Sequence, residues 1–394
     1  MISIRGFGLL SLALAAGLGS VLYPRLDRAG VTRSVKPFNN QDCFAVPGLE
    51  ACEDAEWVDQ ESGLAYLVCS SREARKHWVP ATLHLNSSLL PPISTDYIAL
   101  FDLNTRSYRR LELHGLPAES NGVWVHGIAL WRDVVDPSKL TLFVNSHRPP
   151  KDRSLGPVQG ADSVIEIFET TVGSHEARHV KTVKHDLIRT PNNMVATGPR
   201  TFYASNDHRY KVHWSRLYEK YASVASDIVY CDASRSAASC LVAADKVVYP
   251  NGITKGAGNL LYQATSLEGL VRMWEMQPDH TLKVFDEIKL NRHCDNIHVG
   301  GDGSIYVTAL TKILDFGAAG KDGGLGGHQV PVEIFRIRNN TSAPSSDGRK
   351  YRVELAFADT GKIVSASTTG APYQDKLLLT GLFSEQVVVC TMKE

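Results

Sequence analysis

Seven side chains that carry oxygen recur in similar surroundings along this chain: Glu53, Asp54, Asn192, Asn193, Asn251, Asp295 and Asn296. Each sits in a short polar cluster that leads into an apolar residue, as in Asn192-Asn193-Met194-Val195, Asn251-Gly252-Ile253 and Asp295-Asn296-Ile297. His126-Gly127-Ile128 has the same form with an imidazole in the polar place. Carboxylates and carboxamides gathered in a dry place are costly to bury unless something satisfies them. A hard cation does so, and calcium takes about six to eight such oxygens. No thiol and imidazole cluster with zinc spacing competes. Asn and Asp also open strands simply because they make turns, but several clusters in register go beyond that.

Distant clusters meet only if a repeated architecture brings them together. The four clusters start at 126, 192, 251 and 295, so they are 66, 59 and 44 residues apart. Three are followed by a strand-like run with an aromatic: Phe202-Tyr203-Ala204, Leu261-Tyr262-Gln263 and Ile305-Tyr306-Val307. Glu53-Asp54 opens an earlier unit before 64–69 (LAYLVC). Short β-branched and aromatic runs bounded by Gly, Asp, Asn, Ser or Pro fill the chain after residue 40. Such a period over the length that remains gives about six units of several strands each. The fold expected is therefore all-β, a six-bladed β-propeller with a central tunnel, over 35–394. The start of each innermost strand would face the tunnel axis. The one internal helix candidate is 209–227.

Residues 1–34 read differently. Arg5 precedes an uncharged stretch from Gly6 to Tyr23, closed by Pro24, Arg25, Asp27 and Arg28. This reads as a hydrophobic leader helix, either a secretory signal peptide or a membrane anchor. Extracellular or membrane-anchored placement follows, with membrane or lipid association through that segment. Seven cysteines can then pair. Cys43 with Cys390 would join the chain ends; Cys231 with Cys240 and Cys52 with Cys69 are further local options, which leaves Cys294. Asn86, Asn339 and Asn340 sit in glycosylation sequons.

Lys and Arg total 42, as do Asp and Glu. A neutral chain offers no basic face for nucleic acid. No G-x-S-x-G elbow, P-loop or dinucleotide fingerprint is present, and Gly301-Asp302-Gly303-Ser304 does not fit the first. Gly323–Gly327 reads as a flexible loop. His185, His208 and His298 also lie near repeat strands.

In order and spacing, Gly48-Leu49-Glu50 with Glu53-Asp54, Val125-His126-Gly127-Ile128, Val144-Asn145, Gly198-Pro199, Asn206-Asp207-His208, Asn251-Gly252-Ile253 and Asp295-Asn296-Ile297 resemble the paraoxonase/arylesterase family across essentially the whole chain. The resemblance implies a six-bladed propeller with two calcium ions in its tunnel, closed by a Cys43–Cys390 disulfide. It implies a catalytic calcium on Glu53, Asn192, Asn251, Asp295 and Asn296, and a structural one on Asp54, the Ile128 carbonyl and Asn193. The family has Asp at the position of Asn193, so weaker structural binding is expected. His126 matches the family's general base. A second family histidine directly follows a Val-Asn pair; here Ser146 stands between Asn145 and His147, and one residue of slip on a strand reverses a side chain's face. The family's free cysteine has no equivalent, and 71–95, across the mouth of the site, is longer than usual.

The implied chemistry is hydrolysis of aryl esters or lactones. The carbonyl would be polarised by calcium, and water would be activated by a histidine of ordinary pKa, about 6.5. The alternatives are a non-catalytic calcium-stabilised propeller that binds a hydrophobic ligand or protein, and a sugar-lactonase-like propeller.

Overall fold

The structure is a computed structural model, and it describes residues 20, 22–216, 225–339 and 350–393. Six sheets of four or five strands form the blades, antiparallel except for the outermost pair of the five-stranded one. Their innermost strands are Cys52–Trp57, Val125–Arg132, Pro191–Gly198, Pro250–Lys255, His293–Val299 and Thr369–Tyr373. Each packs against the next, and the last packs against the first, so the six enclose an axis. Between neighbouring blades lie separate apolar clusters; one joins Phe143, Ile165 and Ile167 of blade 2 to Phe202, Ala204 and Val229 of blade 3. The alternating strand pattern thus buries both faces of each sheet, as stacked blades require.

The ring is closed by the N-terminal segment. Strand Cys43–Val46 is the outermost strand of blade 6 and pairs with Val387–Thr391. Cys43 stands directly opposite Cys390, and the two form a disulfide. Cys52–Cys69 and Cys231–Cys240 also pair across adjacent strands. Cys294 is free and buried, and burial pushes its thiol up to about 12, so it is an inert core group.

The chain before residue 43 is partly described. Residues 1–19 and 21, which hold most of the expected leader, lie outside the described residues. The end of that segment is fastened to the propeller: Arg28 and Arg33 donate to the carbonyls of Leu267 and Thr311, and Asn291 donates to Asp27. No helix among the described residues is long and apolar enough to cross a membrane.

Of the helix candidate at 209–227, the two ends are corrected: residues 209–215 form bends and turns, and Ala225–Asp232 is a strand; Arg216 is helical, and 217–224 lie outside the described residues. Further helices occur at Arg72–His77 and Ile313–Lys321. The Gly323–Gly327 loop is also less free than its composition implies. Gly323 has φ of 71°, and a Cβ there would lie 2.1 Å from the Arg72 carbonyl oxygen, so the loop packs onto the first of these helices.

Two glycines show how tightly the axis is built. A Cβ on Gly127 would lie 2.6 Å from the Asn192 carbonyl oxygen, and one on Gly252 would lie 2.6 Å from Asn296 Cα. Neighbouring inner strands therefore touch backbone to backbone at these points. Gly252→Ala is expected to cost about 1–3 kcal/mol or more through overpacking. A thermal melt that matches wild type would mean the strands are not held this closely.

Candidate active site

Five of the six inner strands carry the same irregularity. Opposite one residue of the second strand, the inner strand has two, at Glu53, His126-Gly127, Asn192-Asn193, Asn251-Gly252 and Asp295-Asn296. Consecutive residues on a regular strand face opposite sides. A bulge removes that constraint and re-aims the side chain. This is how adjacent pairs such as Asp295 and Asn296 both reach the axis.

The seven oxygen-bearing side chains are all buried, and hydrogen bonds link them across blades. Asn193 Nδ2 donates to Asp54 Oδ2 at 3.0 Å and to Asn296 Oδ1 at 2.9 Å. Asn296 Nδ2 donates to Glu53 Oε1 at 3.1 Å. Asp54 also accepts from the Ile128 and Ala55 amides at 3.1 and 2.9 Å. Asn251 Nδ2 donates to Ser266 Oγ at 3.0 Å. Blade 6 contributes hydroxyls: Thr368 and Thr369 donate to the Glu53 carbonyl at 2.8 and 2.9 Å.

What this network leaves over is informative. Glu53 Oε2, Asn192 Oδ1 and Asn251 Oδ1 are buried without a partner. Unpaired buried oxygens are costly and rare. Burial, and then the charges of Asp54 and Asp295, push the Glu53 carboxyl well above its ordinary range. Burial raises Asp295 to about 8 and Asp54 to about 6. Without a cation these groups favour protons, and a cation supplies the charge they lack. Glu53, Asn192, Asn251 and Asp295 thus fit a hard divalent ion. The set Asp54, Ile128 and Asn193 does not fit a second one in the same way. Asp54 accepts from the Ala55, Ile128 and Asn193 nitrogens, and Asn193 Oδ1 is taken by the Met194 amide at 2.5 Å.

His126 and His147 stand beside this group, with ring centroids 5.2 Å apart and edge to face. His126 Nε2 is 3.3 Å from Asn192 Nδ2 and 4.0 Å from Glu53 Oε1. Its Nδ1 has no partner. His147 Nδ1 lies 2.9 Å from Ser163 Oγ, and its carbonyl accepts from Trp78 Nε1 at 2.7 Å. The extra residue Ser146 does not turn His147 away. The strand pairs regularly with 162–171 through this stretch, so His147, two positions after Asn145, shares its face, and Asn145 donates to the Asn192 carbonyl at 2.5 Å. The ordinary histidine pKa expected from the sequence is corrected: burial, then His147 and Arg75, lower His126 well below it, and burial brings His147 to about 4.

Residues 85–392 match the family model described as arylesterase. The chain belongs to the arylesterase family. Human serum paraoxonase/arylesterase 1 is 26% identical over 365 residues, covering 90% of each chain. Rabbit (Oryctolagus cuniculus) serum paraoxonase/lactonase 3 is 26% identical over 382 residues, covering 94% of this chain and 95% of that one. Among solved structures, the Malassezia sympodialis allergen Mala s 1 superimposes with a TM-score of 0.53 at 10% identity, over 89% of this chain and 96% of that one, a likeness of fold alone. Family membership makes the arylesterase a hydrolase of the ester and lactone class.

Other residues of this arylesterase surround the constellation. Asp207 is buried and bonded to His208 Nδ1 at 2.7 Å. Burial would raise that carboxyl, yet the His208 charge and hydrogen bond hold it low. His298 Nε2 lies 3.7 Å from Asp54 Oδ1, and burial lowers the imidazole to about 4. His185 accepts from the Leu187 amide in a local turn. Thr368, Thr369 and Arg75 gave no signal in the sequence, because the hydroxyls and the arginine do not recur from blade to blade. Asn86 and Asn339 are exposed, and Asn340 lies outside the described residues. A separate exposed group, Glu112, His114 and Glu176, meets at the edge of blade 2, where strands 112–114 and 176–183 run parallel. It is remote from the axis in its sheet.

Proposed function

We propose that the protein is a calcium-dependent hydrolase of aryl esters or lactones, with its reaction centre at the tunnel end that holds Glu53, Asn192, Asn251, Asp295 and His126. The observation that carries this reading is the set of buried oxygens without partners on Glu53, Asn192 and Asn251, next to an imidazole nitrogen that also lacks one. Asn296 would orient Glu53 beside the ion by donating to its Oε1, while its own oxygen accepts from Asn193. A bound calcium ion would supply charge to stabilise the oxyanion of the acyl-transfer transition state.

The chain's own groups would do the rest. His126, kept neutral by burial, accepts the proton of the attacking water. His147, fixed by Ser163 and by the Trp78 bond to its carbonyl, holds the His126 ring in place. Closely packed inner strands limit water to the mouth. Asp54, Asn193 and the Ile128 amide serve here as a hydrogen-bonded brace, which favours one ion over two.

The test is hydrolysis of phenyl acetate and of a δ-lactone with and without EGTA. Both activities should vanish on chelation and return with calcium. Turnover that survives chelation would defeat the metal mechanism, and an inactive but calcium-stabilised protein would favour a binding role. His126→Gln is expected to lower kcat by about 10²–10⁴, the usual worth of a general base, while calcium still raises the melting temperature. An unchanged kcat would remove His126 from the mechanism.

Three disulfides fit an oxidising compartment. We place the protein in the secretory pathway, with glycans on Asn86 and Asn339. Leu22, Tyr23 and Leu26, all exposed, would meet membrane or lipid.

A further inference from the structure

Helix Arg72–His77 carries a buried cation that no acid neutralises by contact among the described residues. Arg75 is 4% exposed. Its Nη1 donates to the Val125 carbonyl at 2.9 Å, one residue from His126. Its Nε and Nη2 have no partner. The two acids whose charges it feels, Asp96 and Glu53, are bonded elsewhere. Asp96 takes Ser70 Oγ at 2.5 Å and the Val125 amide at 2.9 Å, and Glu53 takes Asn296.

The pattern of what is free matters. Nε–H and Nη2–H lie on one edge of the guanidinium plane. That edge receives a carboxylate or phosphate through two parallel hydrogen bonds. Leaving two charged donors buried and unpaired is costly, so the edge is built for an acceptor that the chain does not provide. Nor can it swing away. Ser71 Oγ caps the helix by accepting from the Ala74 amide at 3.1 Å. Arg72 Nε pairs with Glu50 at 3.1 Å, and Trp78 at the other end is tied to the His147 carbonyl.

The adjoining walls are also cationic. A small cavity beside His147 is lined by Arg189, Lys211 and Arg216, with Asp207 as its acid. Asp207 is engaged by His208, and Arg189 by Asp227. Arg216 is buried and spends its amino groups on the carbonyls of Pro80, Ala81 and Lys211, not on an acid.

We propose that Arg75 is a specificity residue whose free Nε/Nη2 edge binds a carboxylate carried by the substrate, so that the preferred substrates are anionic esters and lactones. The turnover half of this proposal rests on the hydrolase reading above; the anion-binding half does not.

The experiment compares a δ-lactone bearing a free carboxylate with the same lactone bearing a carboxamide. Wild type should favour the carboxylate by about 10- to 100-fold in kcat/KM, the range of one bidentate charged pair. Arg75→Gln should bring that ratio close to one. Arg75→Lys keeps the charge without the fork and should fall between, and it carries the same test if Arg75→Gln does not fold. In parallel, glutarate, glutaramide and inorganic phosphate are added to calcium-loaded protein, and the melting temperature is read. Glutarate should stabilise wild type and not Arg75→Gln; glutaramide should do neither.

If lactones are cleaved without preference and no anion stabilises, the proposal is overturned and the hydrolase reading stands. If neither lactone is cleaved but glutarate stabilises through Arg75, the anion site stands and the hydrolase reading falls. An equal loss for both lactones in Arg75→Gln means a purely structural arginine and overturns the proposal. Stabilisation by phosphate alone overturns the carboxylate assignment.

Discussion

Asp295→Ala is expected to lower turnover of phenyl acetate by about 10²–10³ or more, the cost of losing an oxyanion-stabilising group, and to abolish stabilisation by calcium. Asp295 is buried on a bulge of the blade 5 inner strand. Burial raises its carboxyl to about 8, so the ionised form needs a cation beside it. Without it, Glu53 and Asp54 are the carboxylates that remain on the axis, and Asp54 is already held by three N–H donors. Asn251→Ala should act in the same direction, because it removes one of the unpartnered oxygens. A ligand present at about 100 times its Kd stabilises a protein by about 2.7 kcal/mol. Wild type should therefore melt measurably higher in calcium and the variants should not. A fully active, calcium-stabilised Asp295→Ala would show that the ion, if bound, sits elsewhere.

The second large effect concerns closure of the ring. Cys43→Ser with Cys390→Ser should destabilise the protein by about 2–5 kcal/mol. The bridge spans 347 positions and ties the outermost strand of blade 6 to its neighbour. Cys231–Cys240 spans nine. On loop entropy alone its removal should cost about 3 kcal/mol less. Paired melts of the two double variants check this, and equal losses would mean that ring closure by the four strand pairs of Cys43–Val46 suffices without the bond.

Much of this was legible in the sequence, because the propeller writes its axis as a repeat. Asn192, Asn251 and Asp295 declare themselves by residue type and by the apolar residue that follows, and symmetry supplies the third dimension. The bulges were not legible. A bulge has no composition of its own, so Ser146 reads as a slip that reverses the face of His147, whereas His147 stands two positions after Asn145 on a regularly paired strand and shares its face. Blade 6 was silent for a different reason: its axial groups are Thr368 and Thr369, hydroxyls that donate to a carbonyl. The resemblance places Asn193, where the family has Asp, in a structural calcium site weakened by the lost carboxylate. Its amide instead lies between Asp54 and Asn296 with its oxygen held by the Met194 amide. Burial also decided the histidine pKa values, and burial of one imidazole is a property of packing that no local spacing encodes. Helix Ile313–Lys321 contains four small residues in a row, Gly317, Ala318, Ala319 and Gly320, and so lacked a clear apolar stripe.

All of the chemistry proposed depends on an ion held by axial oxygens from blades that are distant in sequence. The most direct test is elemental analysis of the folded, purified protein, followed by calcium titration of the chelated form with melting temperature and lactone turnover read together. Calcium bound at about one ion per chain, with both signals rising along one binding curve, is the expected result. A protein that carries no divalent ion, and whose melting and turnover ignore added calcium, would contradict it.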